Sequence, residues 1–232
     1  GSGRVPAAFN GLVGIKPTKG RLSIDGVVPA CKSLDCITFF AHEVSEAKVL
    51  LDIASAVNPK DPFSRSARFS KGLPGAGLRL GIPRPEQLQF FGNDEYATCF
   101  AIACDNLRAV GVELIEIDFA PFLATAKLLY QGPWVAERYA AVGAFIESAS
   151  NAVSPVIREI ILPGKHLSAV DAFQAQYDLQ ALKVAADGEL AGVDAILTPT
   201  AGTCFTRASL AADPIALNSQ FGTYTNFMNL LD

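Results

Sequence analysis

The sequence predicts an α/β fold with a mixed β-sheet, because four segments alternate between strand and helix patterns. Residues 78–83 form an apolar run of strand length, and residues 111–118 alternate apolar and acidic side chains. Residues 93–110 have helical periodicity, with Asn93 or Asp94 as the predicted cap. A strand, a helix and a strand of these lengths form a βαβ unit, which pairs its strands in parallel. The run 193–200 predicts another buried strand, which ends in a polar loop of the kind that binds ligands in open α/β sheets.

The remaining segments are predicted to surround this unit. Residues 1–40 contain many glycines and short apolar runs with little helical periodicity, and residues 20–23 and 26–29 are predicted to be strands or loops bounded by turns. A helix is predicted to begin at Ser45, and residues 121–148 and 168–190 have largely helical patterns. Residues 58–77 are rich in proline, glycine and charge, so we expect a surface connection between subdomains there.

The composition excludes several classes of protein. Half of the 232 residues are hydrophobic and 18% are charged, so the chain can bury a sizeable core and is not a disordered segment. The net charge is -4 with scattered lysines and arginines, so neither a nucleic-acid footprint nor a basic membrane-binding face is expected. No apolar run reaches the roughly 18 residues that a transmembrane helix needs.

The cysteines and histidines predict neither a metal site nor a disulfide framework. The five cysteines form no CxxC pair and there are only two histidines, so zinc-site spacing is absent and a reducing, cytoplasmic compartment is expected. Cys99 and Cys104 lie in the helical segment and are expected to pack as small apolar residues. Cys31 is an alternative reactive thiol, although no histidine lies near it in sequence to activate it.

The opening run, residues 1–18, contains the residues best suited to catalysis. It reads Gly-Ser-x-Arg-x-Pro, followed by Gly-x-x-Gly-x-Lys-Pro-Thr. Gly1 and Gly3 flank Ser2, so the backbone can turn sharply, present the hydroxyl as a nucleophile and direct amide N–H groups at an oxyanion. Arg4 is a fixed charge suited to a buried carboxylate or a helix C-terminus. The alternative is that Gly1 and Ser2 are a remnant of a cloning vector.

This run resembles the second half of the signature of the amidase-signature family of serine hydrolases. In that family the serine of Gly-Ser-x-Arg-x-Pro is the acylated nucleophile, which corresponds to Ser2, and a backbone N–H near Gly1 contributes to the oxyanion hole. A lysine and a serine in a cis peptide complete the triad upstream. The resemblance therefore implies a fragment that starts at the nucleophile and is inactive by itself.

The resemblance also implies a fold. It is a mixed twisted β-sheet covered by helices on both faces, of which this chain would be a part. Residues 1–232 would all belong to one amidase-signature domain, with the connection around residues 58–77 inside it.

Three further stretches resemble the allophanate hydrolases within that family: residues 26–36, 130–139 and 217–232. In that group a tyrosine and an arginine eight residues later bind the substrate, and they correspond to Tyr130 and Arg138. An arginine can hold a carboxylate through two parallel hydrogen bonds, and a tyrosine hydroxyl can bond a carbonyl or an amide.

A structural interpretation of the same segment stays open at this stage. Tyr130, Trp134 and Arg138 recur at i, i+4 and i+8, so they can also be one packing face of an ordinary helix. Pro133 lies inside this run and predicts a break or a first turn there.

The resemblance implies hydrolysis of allophanate to ammonia and carbon dioxide through an acyl-enzyme. No metal or cofactor is expected, the substrate is a small molecule, and a homodimer is implied with no nucleic-acid or membrane partner. Two alternatives remain, namely another small-amide amidase of the same family and a non-catalytic scaffold of that fold.

Overall fold

The structure is a computed structural model that describes residues 3–66 and 77–232. Five strands and ten α-helices lie in these residues, in the chain order α1 Val5–Phe9, β1 Val13–Ile15, β2 Phe39–Ala41, α2 Val44–Ala54, β3 Arg79–Pro83, α3 Asp94–Ala109, β4 Glu113–Ile117, α4 Ala120–Gln131, α5 Trp134–Ser148, α6 Pro155–Ile161, α7 Ala169–Leu190, β5 Ala195–Ile196, α8 Arg207–Ala212, α9 Ala216–Phe221 and α10 Met228–Leu231. Short 3₁₀ helices lie at Pro85–Gln87, Ser150–Ala152 and Leu162–His166. The mixture of strands and helices confirms the predicted α/β class.

The described residues group into two compact units. The first unit contains residues 3–66, 127–177 and 228–232, and the second contains residues 77–126 and 178–227. Residues 67–76 of the predicted connection lie outside the described residues, so its role as a link between subdomains stays a prediction.

The first unit contains a small antiparallel pair of strands. β1 pairs with β2 so that Val13 lies opposite Ala41 and Ile15 opposite Phe39. Of the two structures that the sequence allowed for residues 20–29, the structure shows loops. Gly20 and Gly26 have φ angles of 73° and 83°, which bend the chain out of a strand conformation.

The helix α2 begins one residue earlier than the sequence predicted. Glu43 precedes it, and the Glu46 carboxylate accepts hydrogen bonds from the backbone N–H groups of His42 (3.0 Å) and Glu43 (3.3 Å). A carboxylate that accepts from the first free N–H groups stabilises a helix start. The N-cap is therefore Glu43, and the predicted start at Ser45 lies one residue inside the helix.

The second unit contains the predicted βαβ arrangement. β3 lies between β4 and β5 and pairs in parallel with both, with Arg79 opposite Glu113 and Leu80 opposite Ala195. Asn93 caps α3 by accepting a hydrogen bond from the N–H of Tyr96 at 3.1 Å, as predicted.

The last strand is shorter and less buried than predicted. The sequence predicted a buried strand over residues 193–200, but β5 has two residues and both are half-buried. The N–H of Leu197 still bonds the carbonyl of Gly81 at 2.9 Å. Pro199 then has no N–H to donate, so the ladder does not continue.

The core of the second unit is an aromatic cluster formed by Phe119, Phe122, Tyr224 and Phe227. Ring centroids lie 5.0 Å apart for Phe119 and Phe122 and 5.3 Å apart for Phe122 and Phe227. The hydroxyl of the buried Tyr224 accepts a hydrogen bond from the N–H of Gln89 at 2.5 Å, which satisfies its polar end.

The predicted helical segment 121–148 consists of two helices. α4 ends at Gln131 and α5 begins at Trp134, and Pro133 caps α5 as its position in the sequence suggested. A Cβ atom on Gly132 would lie 2.5 Å from the carbonyl oxygen of Leu128, so a larger residue would have to displace the last turn of α4.

The helix α5 is fixed at its distal end by polar contacts. The Glu147 carboxylate accepts hydrogen bonds from the Tyr139 hydroxyl at 2.9 Å and from the Lys165 ammonium at 2.8 Å. Lys165 lies in a 3₁₀ helix that approaches α5 closely at Gly164. A Cβ on Gly164 would lie only 2.5 Å from the carbonyl oxygen of Val135.

Two further sequence predictions concern the cysteines and the membrane. All five cysteines are free; Cys104 is buried as expected, but Cys99 is exposed, so its predicted packing is wrong. Within residues 3–66 and 77–232, no helix combines the length and the apolar character that crossing a bilayer requires.

The buried carboxylate of Asp61 attaches the start of the predicted connection to the loop before it. Asp61 is 6% exposed and accepts hydrogen bonds from the Ser23 hydroxyl (2.8 Å), the Ile24 N–H (2.8 Å) and the Phe63 N–H (2.9 Å). The bond from Phe63, together with those from Ser23 and Ile24, lowers the pKa of Asp61 although burial opposes this.

We predict that Asp61→Asn weakens the dependence of stability on acid pH. Because the folded pKa lies below the unfolded value near 3.8, the stabilisation is present above that value and is lost as pH falls through the folded pKa. The free energy of unfolding of the unsubstituted protein, measured with urea, should therefore fall more steeply below about pH 4 than that of the variant. Asp25→Asn, at an exposed carboxylate on the same loop, should keep the original slope. Equal slopes for Asp61→Asn and the unsubstituted protein would contradict the assignment.

Candidate active site

The predicted nucleophile and oxyanion position lie at the edge of what the structure describes. Gly1 and Ser2 fall outside the described residues, so their roles stay predictions. The description begins at Gly3, the residue directly after Ser2, and Gly3 is buried.

Gly3 is held by close contacts that leave no room for a side chain. A Cβ on Gly3 would lie 2.1 Å from the Thr38 hydroxyl, and a Cβ on Gly14 would lie 2.4 Å from the carbonyl oxygen of Gly3. Gly14 therefore packs directly against the backbone of Gly3. Gly11 is different, because it has open space around it and a φ angle of 64°, so it serves the turn and not the packing.

Arg4 precedes α1 and is half-buried. Its guanidinium contacts the sulfur of Met228 in α10. Burial lowers the pKa of Arg4 to about 10, and the nearby Cys36 thiol partly opposes this shift. The side chain therefore stays positively charged at neutral pH.

The structure brings together the two residues that were predicted to bind substrate. Tyr130 lies in the last turn of α4 and Arg138 in the second turn of α5. The guanidinium carbon of Arg138 lies 4.5 Å from the centroid of the Tyr130 ring, which is a cation–π contact. The alternative of a single continuous helical face is wrong, because the break before Trp134 separates the two helices.

The Nε edge of the Arg138 guanidinium has no acceptor in the part of the chain that the structure describes. Its Nε atom is buried, and among residues 3–66 and 77–232 no acceptor lies within hydrogen-bonding distance of it. A buried donor without an acceptor costs about 1–3 kcal/mol. Burial lowers the pKa of Arg138, but the side chains of Tyr130 and Cys31 outweigh it and raise the pKa above its usual value. Arg138 is therefore a permanent cation.

Cys31 lies beside the start of α5, a position that the sequence did not identify. It is 3% exposed, and its Sγ donates to the carbonyl oxygen of Trp134 at 3.5 Å. Burial raises the pKa of the thiol, although Arg138 partly offsets this. The thiol is therefore neutral at physiological pH, which argues against the alternative that Cys31 is a reactive nucleophile.

Residues 30–36, here called the Cys31 loop, are attached to the first turns of α5. Ser33 donates its N–H and its hydroxyl to the two carboxylate oxygens of Glu137, at 2.6 and 2.7 Å. The Asp35 carboxylate accepts from the N–H groups of Ala30 and Cys31, at 2.9 and 3.2 Å. The loop that carries Cys31 and the helix that carries Arg138 are therefore joined directly.

The described residues offer no obvious metal site. No group of three or more histidine, cysteine, aspartate or glutamate side chains in them has the geometry to hold an ion. The chemistry that this arrangement can perform is the binding of a small anion beside Arg138.

Comparison with known proteins identifies the family. The sequence model of the amidase family, described as "Amidase", matches residues 1–232. The chain belongs to the amidase family.

The similar proteins include curated sequences and solved structures. Urea amidolyase of Saccharomyces cerevisiae is 41% identical over 235 residues, which cover 100% of this chain and 13% of that protein. Urea amidolyase of Lachancea kluyveri is 38% identical over 239 residues, with the same two coverages of 100% and 13%. Selenomethionine-substituted allophanate hydrolase of Kluyveromyces lactis superimposes with a TM-score of 0.94 at 36% identity, covering 100% of this chain and 38% of the other.

The coverage limits what these relatives show. This amidase-family chain spans about an eighth of the length of the yeast urea amidolyase and less than two fifths of the Kluyveromyces chain. The likeness therefore establishes the family and the amidase-signature fold, while the activity of a whole relative has to be argued separately.

We predict that Gly14→Ala destabilises the segment that follows Ser2. The added methyl group would meet the carbonyl oxygen of Gly3, and overpacking of this kind costs about 1–3 kcal/mol. Gly188→Ala is the matched control, because Gly188 lies within α7 with nothing near its Cβ position and alanine favours a helix by about 0.5–1 kcal/mol. Denaturant unfolding of both variants of the intact protein measures the two effects. An unchanged stability of Gly14→Ala would show that the close contact is not rigid.

Proposed function

We propose that this protein hydrolyses an amide bond of allophanate, with Arg138 binding the substrate carboxylate and Ser2 as the nucleophile. The single observation that carries the proposal is the guanidinium of Arg138, which lies over the Tyr130 ring and has a buried Nε without an acceptor among the described residues. The proposal is supported by the names of two relatives that the whole chain matches, urea amidolyase and allophanate hydrolase.

The charge and geometry of Arg138 favour a carboxylated substrate. Allophanate is a small ureido-carboxylate, and its carboxylate can accept the Nε–H and a neighbouring N–H of the same guanidinium in parallel. This contact would satisfy the buried donor and neutralise a cation that the raised pKa keeps charged. A neutral alkyl amide has no group that would do either.

Tyr130 can contribute at two points of the same substrate. Its ring supports the guanidinium from one face, at 4.5 Å from the guanidinium carbon. The residue is 48% exposed, so its hydroxyl can bond a carbonyl or an amide of a small ligand beside Arg138.

The proposed reaction passes through an acyl-enzyme. Ser2 attacks the amide carbonyl, backbone N–H groups near Gly1 stabilise the oxyanion, ammonia leaves, and water then releases the acyl group. The carboxylated product decomposes to carbon dioxide and further ammonia. The family resemblance assigns the base to a lysine, which must be neutral to accept a proton, acting through a serine in a cis peptide; neither lies within residues 1–232.

The close packing of Gly3 against Thr38 and Gly14 gives this proposal a structural basis next to Ser2. A nucleophile gains from a rigid support because small misplacements are costly in rate.

A homodimer and a cytoplasmic location remain predictions from the resemblance and the composition.

We predict that Arg138→Ala discriminates between substrates. The value of kcat/KM for allophanate should fall by the equivalent of about 2–5 kcal/mol, because a desolvated carboxylate loses its partner, while a neutral amide of similar size should lose much less. Steady-state ammonia release by the intact protein measures both. Equal losses for the two substrates would remove the carboxylate-binding role.

Two controls separate this role from general damage. Ser2→Ala should abolish the hydrolysis of both substrates if Ser2 is the nucleophile. Arg158 is a matched control, because it is also half-buried and its buried Nε also has no acceptor among the described residues. Since Arg158 lies in α6, Arg158→Ala should preserve the ratio between the two kcat/KM values. A shifted ratio for Arg158→Ala would show that Arg138 is not special.

A further inference from the structure

We propose that residues 33–38, here called the bridging segment, fix the distance between the nucleophile and Arg138 and thereby select substrates by their length. At one end of the segment, Ser33 is hydrogen-bonded to the residue before Arg138. At the other end, Thr38 packs against the residue after Ser2. The inference rests on the proposed function, because it names which carboxylated amides the same site accepts.

The first end of the bridging segment is joined to the helix that carries Arg138. Ser33 donates its N–H and its hydroxyl to the two carboxylate oxygens of Glu137, at 2.6 and 2.7 Å. Two short bonds to one carboxylate fix its direction as well as its distance. Glu137 lies in the first turn of α5 and directly precedes Arg138, so the position of Ser33 determines where α5 starts.

The second end of the bridging segment is packed against the backbone that follows the proposed nucleophile. A Cβ on Gly3 would lie 2.1 Å from the Thr38 hydroxyl oxygen, so these two residues are in direct contact. The strand β2 begins at the residue after Thr38 and pairs with β1. Because Gly14 in β1 packs on the carbonyl oxygen of Gly3, the backbone next to Ser2 is held from two sides.

The middle of the bridging segment is held by hydrogen bonds to two other parts of the chain. The side chain of Asn229 in α10 donates to the carbonyl oxygen of Leu34 at 2.8 Å, and Leu34 itself is buried. The Cys36 thiol donates to the carbonyl oxygen of Pro17 at 3.2 Å. A short segment that is hydrogen-bonded or packed at both ends and in its middle has little freedom to move, so it keeps its two ends at a fixed distance.

This distance matters because the proposed substrate is short. In allophanate, a single nitrogen atom separates the carboxylate carbon from the amide carbonyl carbon. If Arg138 binds the carboxylate, the carbonyl is within reach of Ser2 only when the two protein groups are correctly spaced, and a misplacement of about 1 Å can cost about 100-fold in rate. Succinamate has one more atom between its carboxylate and its amide, so we expect a preference for allophanate that depends on the bridging segment.

The first test measures the ratio of kcat/KM for allophanate to kcat/KM for succinamate in Glu137→Ala and Glu137→Gln of the intact protein. Glu137→Ala removes both bonds from Ser33, so the ratio should fall about 10-fold. Glu137→Gln should keep most of the ratio, because its amide can accept the Ser33 N–H and donate to the hydroxyl. Both substrates carry a carboxylate, so the lost charge of Glu137 should affect them alike. An unchanged ratio in Glu137→Ala, or an equal fall in both variants, would overturn the proposal.

Asp171→Ala is the matched control. The Asp171 carboxylate also accepts the N–H and the hydroxyl of one serine, Ser168, at 2.8 and 2.7 Å, but it lies in the first turn of α7. This variant loses the same kind of contact outside the bridging segment, so it should keep the ratio of the unsubstituted protein. A fall equal to that in Glu137→Ala would show that the selectivity does not depend on the bridging segment.

Crystal structures of the intact variants test the fixed distance without a substrate. In Glu137→Ala, the Arg138 guanidinium should move by more than about 0.5 Å relative to Gly3, whereas in Asp171→Ala it should stay in place. An unmoved guanidinium in Glu137→Ala would overturn the proposal even if allophanate is the substrate. Failure of the unsubstituted protein to hydrolyse allophanate would instead count against the proposed function, and the crystal structures would still decide whether the bridging segment positions Arg138.

Discussion

The arrangement of the candidate site depends on the cation–π contact between the Arg138 guanidinium and the Tyr130 ring, which belong to two successive helices. The Cys31 loop, about one hundred residues earlier in the chain, is hydrogen-bonded to the helix that carries Arg138. A buried cation is expensive unless its donors are satisfied, and within residues 3–66 and 77–232 the buried Nε of Arg138 has no acceptor. The proposed substrate carboxylate would supply that acceptor.

The backbone around Arg138 provides what this contact needs. The break at Gly132 and Pro133 ends α4 and starts α5, so that Tyr130 and Arg138 approach from two helices. Glu137 attaches α5 to the Cys31 loop through Ser33, and Glu147 attaches its other end to Lys165. These exposed pairs contribute little stability individually, but they restrict where the helix that carries Arg138 can lie.

Local patterns in the sequence predicted the local features of the fold. The βαβ unit, the Asn93 cap and the break at Pro133 follow from periodicity and from the properties of single residues, and the structure confirms them. The antiparallel pair β1 and β2 was not predicted, because its strands have three residues each and do not produce a detectable alternation. The strand β5 was predicted too long, because the apolar run continues beyond the residues that pair with β3. Pro199 cannot donate a backbone hydrogen bond, and the prediction did not take this into account.

The sequence likewise predicted some features of the candidate site and missed others. Tyr130 and Arg138 were identified by resemblance to a family, and the structure places them in contact, whereas their binding role is a proposal. The contact of Cys31 with the Trp134 carbonyl could not be predicted, because it joins two distant parts of the chain that no periodicity links.

The most direct measurement is a crystal structure of the intact Ser2→Ala variant with allophanate bound. The account predicts a carboxylate oxygen within about 3.2 Å of Arg138 Nε and the amide carbonyl facing residue 2. A carboxylate bound elsewhere, with Arg138 Nε still lacking an acceptor, would contradict it.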